Sequence, residues 1–124
     1  KGTHMLIAAL ILNVAILAPV IWSLGIGSPG MDAAFGADTH ARRILTCVYG
    51  AIALASAALI ALNSVAHPWA IPMTLALFGV QITYKLATVW LVGLGNPVVV
   101  TNVVVIVVQT LAILIALRAG SLAA

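Results

Sequence analysis

Lys85 is the residue on which any chemistry of this chain would turn. It lies in Ile71–Val92, a run otherwise apolar and long enough to cross a bilayer. A cation at that depth costs at least about 2.5–3.5 kcal/mol on insertion scales, so an intramembrane lysine is by default a functional residue. It belongs to a stripe of Thr74, Gln81, Lys85 and Thr88, with Tyr84 beside it. The other apolar runs carry Asn13, then Ser56 and Asn63, then Asn102 and Gln109. Each of the two pairs is close to two helical turns apart and therefore shares a face. Counting from the ends of the runs puts Lys85, Tyr49 and Asn102 about two turns in from one membrane face. Asn13, Ser56, Gln81 and Gln109 fall near the midplane. Two stacked polar layers predict a single bundle interior. Such groups either hydrogen-bond between helices, worth about 0.6 kcal/mol each, or line a pocket for a small neutral or anionic ligand. The candidate ligand-binding residues are Lys85, Gln81, Asn102, Tyr49, Tyr84, Asn13 and Gln109.

The only carboxylates are Asp32 and Asp38, both at the end of the third run nearest Lys85. The expected ion pair is Lys85 with Asp32, which would pin the connection before the second run as a lid. Two alternatives stand beside it: the ammonium snorkels to the headgroups, or it serves a ligand. Asp38 or Thr39 is expected to cap the second span. Arg42 and Arg43 suit anchoring to lipid phosphates.

What is missing excludes several classes. A proton-coupled exporter needs a membrane-embedded acid, and no apolar run holds one. His40 and His67 sit at opposite faces, which rules out a shared haem or metal and leaves both as interfacial or turn residues. A single cysteine, Cys47, permits no internal disulfide or redox pair. There is no carboxylate pair, Ser/His arrangement or phosphate loop, so no catalytic residue, metal site or cofactor is expected and the chain does not read as an enzyme. The few cations give no case for nucleic-acid binding.

The elements that must hold these residues follow from composition. The chain is 65% hydrophobic and 6% charged, against about 25% charged in a soluble domain. Lipid must therefore be the solvent for most of its surface. Residues 1–4, Lys1-Gly2-Thr3-His4, look like an expression scar, and 5–124 form a single membrane domain. The predicted spans are about 5–25, 41–62, 71–92 and 97–117, each near the roughly 20 residues that cross hydrocarbon. The first lacks a charged leader and a cleavage site, so it is read as retained. Asn96 is the expected N-cap of the fourth span and Pro97 its first residue. Two connections are short, which makes neighbouring helices antiparallel. The third, 26–40, is long enough to hold a short surface helix around Pro29–Phe35. Gly50, Ala51, Ala55, Ala57, Ala58 and Ala61 suggest that the second span packs most closely. Trp22 and Trp90 mark one interface and Trp69 the other. The expected fold is all-α, a polytopic membrane protein built as an antiparallel four-helix bundle. Arg42 and Arg43 against Arg118 lean the loop face toward the cytoplasm by one charge, leaving orientation open.

Two functions fit these residues. One is a non-catalytic scaffold or accessory subunit of a membrane complex, working through a protein partner or a homo-oligomer. The other is a small-molecule binding or permeation protein with its pocket at Lys85, opening on the face of the 26–40 loop. The layout resembles small bacterial inner-membrane proteins of the DoxX-like kind, through four spans of similar length, Ala41-Arg42-Arg43-Ile44-Leu45 opening the second and Tyr84-Lys85-Leu86 in the third. The first span has neither the arginine nor the glycines of that family. The resemblance implies a multi-pass protein of the bacterial inner membrane and, for some members, an accessory subunit in quinone-linked oxidation.

Overall fold

Solvent dictates the fold's logic. In hydrocarbon every backbone amide must be satisfied within the chain, which leaves helices as the means of spanning. In the computed structural model, whose described residues are 2–120, the chain forms α1 (Gly2–Ile26), α2 (Met31–Phe35), α3 (His40–Ser64), α4 (Ala70–Leu91) and α5 (Pro97–Arg118). Lys1, and residues 121–124 of the expected membrane domain, lie outside that range. Four of these helices are long and apolar enough to cross a membrane. Their bounds agree with the predicted spans to within about a turn, and the short helix expected in the long connection is α2. The β-branched run Val98–Val108 is helical throughout.

The helix ends are set by local chemistry. α1 stops at Gly27, whose φ of 66° lets Ser28 N donate back to Ser23 O at 2.9 Å. This is the six-to-one closure that glycine makes without steric cost. α4 ends with Val92 N and Gly93 N both donating to Thr88 O, at 2.9 and 3.1 Å, and Gly93, at φ 96°, then turns the chain away. Asn96 caps α5 as expected: its Oδ1 accepts from Val98 N at 2.8 Å, with Pro97 in the first turn. The cap expected from Asp38 does not form. Thr39 holds the N-cap position of α3 without a side-chain bond, because Asp38 is drawn to Arg43, at 3.1 Å from Nε.

α1 packs mainly on α3 and α5, and α4 on α5 and, less extensively, α3, so the four long helices close a ring. The side chains show that neighbours run antiparallel. Leu6 and Leu10 of α1 share one cluster with Leu59, Phe78, Ala112 and Ala116. Leu17 and Leu24, farther along α1, share the other with Tyr49 and Ile52. We call the end holding the Leu6 cluster side A and the end beneath α2 side B.

The interior positions recur at steps of three and four. In α3 they are Tyr49, Ile52, Ser56, Leu59 and Asn63; in α5, Val99, Asn102, Val105, Gln109, Ala112 and Ala116. This is the seam of left-handed helix packing. The outer surface is aliphatic: Leu54 is 74% exposed, and Val80, Val104 and Val107 also face outward. Buried amides inside and bare valines outside invert the water-soluble pattern, and patches of that size are tolerated only against lipid or protein. Trp22, Trp69 and Trp90 are exposed near helix ends, where amphipathic rings meet headgroups.

The small residues of α3 do not do what was expected. Ala51, Ala57, Ala58 and Ala61 face outward, and Ala55 is half-buried. The seam positions are taken by Tyr49, Ile52, Ser56, Leu59 and Asn63, which rotate the alanine face away.

Asn96 does two jobs, since its Nδ2 also donates to Ala34 O at 2.8 Å and ties α2 to α5. Asn96→Ala is expected to lower stability by about 1–2 kcal/mol through loss of the cap. It should also raise hydrogen exchange in α2 well above that of α4. A drop in stability without faster exchange in α2 would mean the tie to Ala34 is dispensable.

Candidate functional site

The midplane layer is built by one amide-rich residue from each long helix but α3, which supplies a hydroxyl. Asn13 Nδ2 donates to Gln81 Oε1 at 2.7 Å and to Ser56 Oγ at 3.2 Å. Gln109 Nε2 donates to Gln81 Oε1 at 2.8 Å and to Asn13 Oδ1 at 3.1 Å. Ser56, Gln81 and Gln109 are fully buried. Gln81 Nε2 and Gln109 Oε1 have no partner among the described residues. On side A a smaller layer follows, in which Asn63 Nδ2 donates to Thr74 Oγ1 at 3.0 Å. The midplane layer and the Phe78 cluster below it close the bundle toward side A.

Toward side B the layer opens. Lys85 is 5% exposed, and its Nζ donates to Asn102 Oδ1 at 3.0 Å. Asn102 Nδ2 donates in turn to Thr88 Oγ1 at 3.2 Å. The Tyr84 ring lies 5.2 Å from the ammonium, within range of a cation–π contact. The Tyr84 hydroxyl is buried without a hydrogen-bond partner among the described residues.

The expected Lys85–Asp32 ion pair is not formed. Asp32 pairs with Arg42, whose side chain is 4% exposed while that of Asp32 is 79% exposed. Arg42 also donates to Gly36 O at 2.8 Å. The reason is reach: Asp32 points out of the bundle mouth, and the guanidinium at the start of α3 can bind the carboxylate and a carbonyl together. Arg42 is thus a buried clasp on α2, and not the lipid anchor expected of it. Arg43 is exposed and holds Asp38; its hydrogen bond keeps the Asp38 carboxyl below the usual carboxylate range. Both carboxylates of the described residues are therefore taken, and Lys85 has none.

α2 roofs this region. Phe35 meets Tyr49 edge-on, with ring centroids 6.1 Å apart. Beneath the roof lie two cavities. One, of about 230 Å³, is bounded by α1, α2 and α5 with Tyr49 and Lys85 at its inner wall. The other, of about 430 Å³, lies among α2, α3, α4 and α5 and includes Tyr84, Thr88, Asn96 and Asp32. Tyr49, Asn102, Ala34, Phe35 and Val98 border both.

The candidate residues thus divide. Lys85, Asn102, Tyr49 and Tyr84 border the cavities. Asn13, Gln81 and Gln109 bond to one another below and line neither. Sequence reasoning passed over Thr88, Phe35 and Asn96 as parts of the site. Thr88 stood in the polar stripe, but Phe35 and the second role of Asn96 depend on where α2 lands, for which no spacing signal exists. His67, as expected, is a turn residue, its Nδ1 accepting from Trp69 N at 3.2 Å. Comparison of the chain with known protein families, with curated proteins and with solved structures finds no match.

The midplane bonds set a measurable coupling. Gln81→Leu and Gln109→Leu are each expected to destabilise by about 1–2 kcal/mol, by stranding buried partners. A double-mutant cycle on the unfolding equilibrium in lipid should give a coupling of about 0.6 kcal/mol, with about 1.7 as a ceiling. Strict additivity would mean that Gln81 and Gln109 do not bond.

Proposed function

We propose that this protein is a non-catalytic, membrane-embedded binding protein whose pocket at Lys85, toward side B, takes a small anion. The observation that carries the reading is a buried ammonium with one neutral hydrogen-bond partner, set in the wall of a cavity. A structural lysine at this depth would be expected to hold a carboxylate, and both candidates are bound to arginines instead. Lysine has three N–H donors, and Lys85 gives one to Asn102. Removing such a charge would relieve the bundle of an electrostatic penalty, so its presence calls for a compensating role.

Binding is favoured over permeation by the floor of the pocket. The interlocked Asn13, Gln81 and Gln109 amides, with Phe78 and Leu10 beyond them, are buried and fill the interior between the pocket and side A. A concave, mostly apolar site with a few convergent polar groups is the usual form of a small-molecule pocket. As part of the same proposal, the alanine- and valine-rich composition supports a bacterial inner membrane as the setting.

Two measurements test this. Lys85→Met in ligand-free protein is expected to keep or raise thermal stability, since a residue held for function is commonly a burden on the fold. In a Cys47→Ser background, cysteine at Asn102 should react with a water-soluble maleimide in intact membranes, and cysteine at Gln109 should not. Strong destabilisation by Lys85→Met together with full protection at position 102 would return the protein to the scaffold reading.

A further inference from the structure

The shape of the smaller cavity says what kind of anion fits, given the binding role proposed above. Its one charged group is Lys85; the rest of its lining is largely aliphatic and aromatic, including Ile16, Leu17, Val20, Met31 and Phe35. The other cations near side B are committed, Arg42 to Asp32 and Arg43 to Asp38. One ammonium with two N–H groups left after Asn102 matches the two oxygens of a carboxylate. A phosphate dianion would need a second cation.

The cavity's open side is the second clue. α2 closes the top through Met31, Ala34 and Phe35, and it is fastened by Arg42, through Asp32 and Gly36, and by Asn96, through Ala34. Thr101 and Pro97 on α5 are exposed, while Ile16 and Val20 on α1 are half-buried. The gap therefore faces outward between α1 and α5, toward the acyl chains. The larger cavity carries Asp32 at its rim, already paired with Arg42, and so offers an anion no free cation of its own there.

We infer that the pocket takes an amphiphilic monocarboxylate from the bilayer through the α1–α5 seam, its head on Lys85 and its apolar body along Ile16, Leu17 and Val20. Burial of a methylene is worth about 0.8 kcal/mol, or roughly fourfold in affinity. A carboxylate with a chain must then outbind one without.

Radiolabelled octanoate and acetate are titrated against the full chain in phosphatidylcholine vesicles, with empty vesicles subtracting partition. Octanoate is expected to bind at least about a hundredfold more tightly than acetate, well within the roughly 3,000-fold that six buried methylenes allow. Lys85→Met should lose octanoate binding at least tenfold. Thr101→Trp, which plugs the seam without touching Lys85, should weaken octanoate at least tenfold at unchanged melting temperature. Equal binding of acetate and octanoate overturns the amphiphile and leaves a simple anion pocket intact. Octanoate binding that is lost in Lys85→Met yet unaffected in Thr101→Trp overturns the lateral route. Binding of neither anion by folded protein removes the binding role itself, and this inference with it.

Discussion

A polar group in hydrocarbon must find a partner inside the protein, and this single constraint orders the whole bundle. Leucine gains little by leaving lipid for a protein interior, so aliphatic burial cannot decide which helix faces meet. Amides can. Asn13, Ser56, Gln81 and Gln109 converge from four helices onto one another, and that meeting fixes the rotation and depth of each rod. Once those are set, the steps of three and four along α3 and α5 bring Phe78, Leu10, Leu59 and Ala112 together on one side, and Tyr49 with Leu17 on the other. The individual bonds are weak, about 0.6 kcal/mol. Their effect is specificity, because any other rotation would leave several amides facing acyl chains.

The same constraint makes the side-B end different in kind. Below, the amides bond one another, and the atoms left over, Gln81 Nε2, Gln109 Oε1 and Asn63 Oδ1, are uncharged. Above, the unevenness involves a charge: an ammonium has one amide for a partner, a tyrosine hydroxyl has none among the described residues, and empty volume adjoins both. α2 sits over this unevenness without resolving it. Its clasps, Arg42 to Asp32 and Gly36, and Asn96 to Ala34, are made at its edges, so the interior cation is left facing the cavity. Using the carboxylate to hold the roof is what keeps Lys85 available.

The spans, their order and the polar layers could be read from the residues because length and polarity are strong signals in lipid. The depth count that grouped Asn13, Ser56, Gln81 and Gln109 needed only helical rise. Polar residues also located the interior where apolar periodicity is faint, since all four helices are greasy around most of their circumference. Two things were beyond that reading. The pairing of Asp32 turned on which cation the loop could reach, and Arg42 and Lys85 were both near enough in depth to compete. The alanines of α3 suggested a tight seam, yet small residues have no direction of their own, and Tyr49, Ser56 and Asn63 took the inward face.

Everything said of the site requires the Lys85 nitrogen to be enclosed by the helices beneath α2. Lys1 and Lys85 are the chain's lysines, so reductive ¹³C-methylation gives a spectrum simple enough to assign with a Lys85→Met control. Paramagnetic broadening by doxyl-labelled lipid is then measured in bilayers. An enclosed nitrogen leaves the Lys85 methyl signals sharp at every doxyl depth. Strong broadening by mid-chain or headgroup labels would place the ammonium among the lipids and contradict the enclosed site.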